Sequence, residues 1–167
     1  MKSILLVDDD AQLLGELTAA LGNRLGDQVE IRTWIPAKDD NPQEVFGRLV
    51  DADTKLVITD HDLTKLGQTG LFGASIVNWS QARFIPVGDF SRGNVGAIPK
   101  ESELFELRVP TRPAEAADFV VTIYRGFSAI DEALAADAAL LSKQSPASVL
   151  AGILGVPSQD SQFALYA

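Results

Sequence analysis

The chain has 167 residues, 46% of them apolar and 22% charged, with a formal net charge of −9 and no cysteine. Such a length and composition suit one globular domain with a buried core. No basic patch offsets phosphate repulsion, which argues against nucleic-acid binding, and disulfides, thiolate metal sites and thiol chemistry are excluded.

Taken in order, residues 2–7 read as a strand, Ser3-Ile4-Leu5-Leu6-Val7, that ends in Asp8-Asp9-Asp10. It has no signal-peptide layout, and no apolar run approaches the ~20 residues of a membrane span, so a soluble cytoplasmic protein is expected. Leu13, Leu14, Leu17, Leu21 and Leu25 recur at helical spacing over 11–25, with Asp10 as N-cap and Gly26 as the stop. Gln28–Trp34 alternates as a second strand. A polar loop through Pro36 leads to Pro42, which suits the first turn of a helix with Val45, Phe46, Leu49 and Val50 on its apolar face. Residues 55–59 are the central strand, where the run Leu56-Val57-Ile58-Thr59 marks burial on both faces of a parallel sheet. A helix around Leu71–Gln81 comes next, and then a fourth strand from Phe84 to near Ser91. The order β-α-β-α-β-α-β argues a doubly wound parallel sheet.

Beyond Ser91 the pattern loosens. Pro99 prevents a long helix there, yet Arg92–Glu103 still supplies the dozen or so residues that a parallel crossover needs. Leu104–Val109 is therefore expected as the fifth strand. A long amphipathic helix begins at Pro113, with Phe119, Val120, Ile123, Tyr124 and Phe127 on its apolar side, and its pattern continues through 129–142. Helical patterns begin again at Ser145-Pro146 and after Pro157, the last reaching Leu165-Tyr166-Ala167 in mid-helix. The expected layout is a five-stranded parallel α/β domain over 1–127 and a helical extension over 128–167.

In open α/β sheets chemistry sits at the carboxyl ends of the strands. If the first and third strands are neighbours, Asp8 and Asp9 converge there with Asp60. Like charges so close cannot all stay ionised without a cation, so the cluster implies a hard metal, most simply Mg²⁺. An aspartate beside Mg²⁺ is a competent nucleophile for phosphoryl transfer. His61, the only histidine, reads as a loop residue, and Trp34 and Trp79 read as packing.

Ile4-Leu5-Leu6-Val7-Asp8-Asp9, Asp60 closing the third strand, and Ser91 five residues after Pro86 together resemble the CheY-like receiver domain of two-component response regulators. The resemblance spans residues 1–125 and implies a flavodoxin/CheY-like fold with a shortened fourth helix. It implies Mg²⁺ held by Asp8, Asp9, Asp60 and the backbone carbonyl of Asp62. It also implies that a histidine kinase or phosphotransfer protein phosphorylates Asp60, and that Ser91 hydrogen-bonds the phosphoryl group. The family's lysine–proline pair, whose lysine neutralises that group, has two candidate counterparts. Arg112-Pro113 comes near the close of the fifth strand, and Lys100 lies in the preceding loop. Leu63-Thr64 stands where the family has Met-Pro, and Arg92 comes after Ser91 where the family has alanine. The C-terminal helices would carry output to an effector domain or form a homodimer.

Two other readings fit parts of the chain. Asp60-His61-Asp62-Leu63-Thr64 matches the Asp-x-Asp-x-Thr nucleophile loop of haloacid-dehalogenase-like phosphatases, with Asp60 as nucleophile and Asp62 as general acid/base. That family carries a further acidic pair downstream of its lysine, whereas here the acidic pair precedes the loop. The other reading is a pseudo-receiver, the same fold used as an interaction module without phosphorylation.

Overall fold

Along the first strand, Ile4 and Leu6 turn to one side and Leu5 and Val7 to the other, and all four are buried. A strand with no solvent face must lie inside a sheet covered on both sides. The computed structural model, which describes residues 1–61, 63, 71, 73–90 and 106–136, has that arrangement. Strand β1 (Ser3–Val7) lies between β2 (Glu30–Trp34) and β3 (Thr54–Thr59), β4 (Val87–Asp89) pairs beyond β3, and every pairing is parallel. A three-residue β5 (Glu106–Arg108) extends the sheet, giving the order β2-β1-β3-β4-β5.

Helix α1 (Ala11–Leu25) and the stretch of α4 (Pro113–Ala136) up to Tyr124 cover one face, and α2 (Pro42–Leu49) and α3 (Gly73–Gln81) cover the other. Leu13, Leu14, Leu17 and Leu21 of α1 meet Ala117, Val120 and Tyr124 of α4 over Ile4, Leu6, Leu56 and Ile58. On the opposite face Phe46 and Ile76 close over Leu5, Val7, Val57 and Val87. Each Leu, Ile, Val or Phe among them, when fully buried, contributes roughly 1.5–3 kcal/mol to folding. The protein is therefore an α/β protein with a parallel sheet, compatible with a flavodoxin-like fold. Residues Met1–Tyr124 make one compact unit, and α4 from Arg125 onward belongs to a second. No described helix is long and apolar enough to cross a membrane.

The helix starts obey local chemistry. Asp10 caps α1 by accepting from the N–H groups of Gln12 and Leu13. Gly26 ends α1 with φ at 62°, a conformation that glycine adopts without penalty. Pro42 and Pro113 each open a helix, where the missing proline N–H has no partner to lose.

Two strand starts differ from the sequence expectation by more than one residue. A 3₁₀ turn over Gly26–Gln28 delays β2 to Glu30. Phe84 is in a turn, not a strand, with φ at 57° and 95% exposure. Its N–H donates to Gln81 O and that of Ile85 to Ser80 O, so the end of α3 captures these donors before β4 begins. The fifth strand is described from Glu106. The expected elements over 91–105 and beyond 136 lie outside the described residues.

Candidate metal centre

Adjacent parallel strands end at the same edge of a sheet, so the residues that succeed β1 and β3 must meet. Asp60 N–H donates to Val7 O at 2.9 Å, continuing the β1–β3 pairing one residue past the strand. Asp8 N–H donates to Trp34 O at 3.2 Å on the other side of β1. These bonds set the two strand ends level. The chain passes from β1 to β2 on one side and later to β3 on the other, which makes the β1/β3 edge the topological switch point of the sheet.

Asp8, Asp9 and Asp60 are all buried. One carboxylate oxygen from each lies within 4.8 Å of the others. At an effective dielectric of ~20, two ionised groups at that separation repel by roughly 3.5 kcal/mol. Oxygen-only, acidic and geometrically convergent, the set fits a hard divalent cation such as Mg²⁺ far better than a soft metal. The local bonds orient its members. Asp8 Oδ1 accepts from Asp10 N–H at 2.8 Å, and Asp60 Oδ1 accepts from His61 N–H at 2.7 Å. The Thr59 hydroxyl donates to the Asp60 carbonyl oxygen at 3.0 Å within the buried interior.

Asp8, Asp9 and Asp60 are thus brought together, while Asp10 serves as the helix cap. Arg112 stands 80% exposed just before α4, and its guanidinium pairs with Glu115 at 3.0 Å. Asp62, Ser91 and Lys100 lie outside the described residues. His61 is a bend residue, as expected.

Two further residues near this edge carry no motif that marks them in the sequence. Asp89 closes β4 in register with Thr59 and is 3% exposed. An acidic residue inside the apolar run Ile85–Phe90 is the one signal that points to it. Gly73 begins α3 and is buried against the backbone just past β3. Set beside protein-family models and curated proteins, the chain matches none of them.

Proposed function

We propose that this chain is a cytoplasmic receiver-type signalling domain of the flavodoxin/CheY-like fold, in which Asp60 accepts a phosphoryl group from a histidine kinase or phosphotransfer protein. The observation that carries this reading is the convergence of three buried carboxylates, Asp8, Asp9 and Asp60, at the β1/β3 switch point. A carboxylate oxygen of Asp60 attacks the phosphorus of the donor. The bond from phosphorus to the donor breaks, and the leaving group keeps that electron pair and takes up a proton. Asp8, Asp9 and Asp60, with the Asp62 carbonyl, would hold Mg²⁺, which would supply positive charge to offset that of the phosphoryl group. The bonds to Val7 O and from Thr59 Oγ1 keep the Asp60 backbone fixed while this happens. Ser91 and a cation, Lys100 or Arg112, then register the new charge, and the C-terminal helices pass it to an effector domain or a second copy. The protein is a phosphoacceptor and turns over no substrate of its own.

One observation favours the pseudo-receiver: Arg112 is 80% exposed and its guanidinium pairs with Glu115. Intact-mass measurement after incubation with acetyl phosphate, with and without Mg²⁺, separates the readings. A working receiver gives one Mg²⁺-dependent phosphoryl adduct that Asp60→Asn abolishes. Steady release of free phosphate without an adduct would identify the phosphatase. Neither product would leave the interaction module.

A further inference from the structure

The first turn of α3 approaches the Asp60–His61 peptide so closely that position 73 has no room for a side chain. A Cβ at Gly73 would overlap the Asp60 carbonyl oxygen and stand 2.9 Å from His61 Cα and 3.2 Å from the Asp60 carbonyl carbon. All three are backbone atoms, which cannot rotate aside as the end of a flexible side chain can. Among the described glycines only Gly26 has positive φ, so Gly73 is there for space and not for an unusual conformation.

The approach is held by a bond as well as by shape: Gly73 N–H donates to His61 O at 2.8 Å. Every backbone polar atom of the Asp60–His61 pair is then engaged. Asp60 N–H reaches Val7 O at 2.9 Å, and Asp60 O accepts from the Thr59 hydroxyl at 3.0 Å. His61 N–H reaches Asp60 Oδ1 at 2.7 Å, and His61 O accepts from Gly73. His61 links the two halves of this arrangement, since its N–H bonds the Asp60 carboxylate while its carbonyl accepts from the first residue of α3.

We infer that Gly73 is a positioning residue: by letting α3 clamp the Asp60–His61 peptide, it sets the direction of the Asp60 carboxylate toward Asp8 and Asp9. The inference rests on the receiver reading of that site. Through the clamp, a displacement of α3 becomes a displacement of the carboxylate.

The test compares Gly73→Ala with Gly88→Ala. A Cβ at Gly88 would lie 2.9 Å from Ile58 Cδ1 and from Val109 Cγ2, both core side chains, and 3.3 Å from Leu107 O, with no Asp60 or His61 atom among its three nearest neighbours. Both variants strain packing, and only the first strains the clamp. The readouts are thermal midpoint, Mn²⁺ affinity as a stand-in for Mg²⁺, and the His61 amide resonance. Gly73→Ala is expected to weaken Mn²⁺ binding about tenfold or more, as loss of a supporting contact behind a metal ligand does, and to move the His61 amide. Gly88→Ala is expected to lower the midpoint while binding Mn²⁺ like wild type. Wild-type affinity in Gly73→Ala, or an unmoved His61 amide, overturns the inference and leaves the receiver reading standing. If wild type and Asp60→Asn bind Mn²⁺ equally poorly, the receiver reading falls and the inference with it. Wild-type protein covers the case in which Gly73→Ala does not fold. On addition of Mg²⁺ its Gly73 amide must shift together with those of Asp60 and His61, and a Gly73 amide that stays still while Asp8 and Asp9 move overturns the proposal.

Discussion

Asp9 shows most simply what a single residue does at this site. It is buried beside Asp8 and Asp60, and its carboxylate supplies one of the three oxygens that could hold a metal ion. A ligand that binds the folded state alone stabilises it by about 2.7 kcal/mol at a hundredfold excess over Kd. Wild type is therefore expected to gain several degrees in thermal midpoint on saturation with Mg²⁺, and Asp9→Asn to lose most of that gain. Thermal melts of both proteins with Mg²⁺ and with a chelator measure it; an equal gain in the variant would remove Asp9 from the cation site. The three carboxylates were legible in the sequence because each lies at the end of a strand whose apolar run announces it. The Arg112 contact was not, since Glu115 one turn later competes for the guanidinium only once α4 has formed.

At the scale of elements, two contacts join one helix to another and are independent of the site. Arg24, in the last turn of α1, donates from Nε to Asp118 Oδ1 at 2.6 Å and from its terminal nitrogens to the Ala20 and Ala114 carbonyls. The Arg24 bond holds the Asp118 carboxyl below the ordinary carboxylate range. A carboxyl whose folded-state pKa is depressed stabilises the fold above its unfolded value and loses that contribution as pH falls through the folded value. The stability difference between wild type and Arg24→Gln is thus expected to be constant above about pH 5 and to shrink below about pH 4. Denaturant titrations across that range check it, and a difference that grows on acidification would contradict it. Asp118 is well exposed and Arg24 half-buried, so the difference itself is small. Phe46 of α2 is the larger element-scale contact. Its fully buried ring packs against Trp79 of α3 at 5.7 Å between centroids, with the Arg83 guanidinium 5.4 Å from the Phe46 ring centre. Phe46→Ala is expected to cost about 3–5 kcal/mol, equally with and without Mg²⁺, measured by urea unfolding. A cost that depended on Mg²⁺ would tie α2 to the site.

Across the whole molecule, the parallel sheet could be read from the sequence because its central strands have no solvent face and its helices carry their own start signals. Asp10, Pro42 and Pro113 each mark a helix start that tertiary packing leaves in place. What escaped the sequence depends on contacts between distant segments. Phe84 looks like the first residue of a strand, yet the carbonyls at the end of α3 take the neighbouring N–H groups and turn the chain. Gly73, inside the expected helix, carries no sign of its role until α3 is docked on the Asp60–His61 peptide. The proposed function makes one central claim: Asp60, at the β1/β3 edge, accepts a phosphoryl group. Borohydride reduction after incubation with acetyl phosphate and Mg²⁺ tests this most directly, because an aspartyl phosphate is reduced to homoserine, which tandem mass spectrometry of the digested protein can locate. Homoserine at position 60, and absent without Mg²⁺, is the predicted result. Homoserine at another aspartate, or at none, would contradict it.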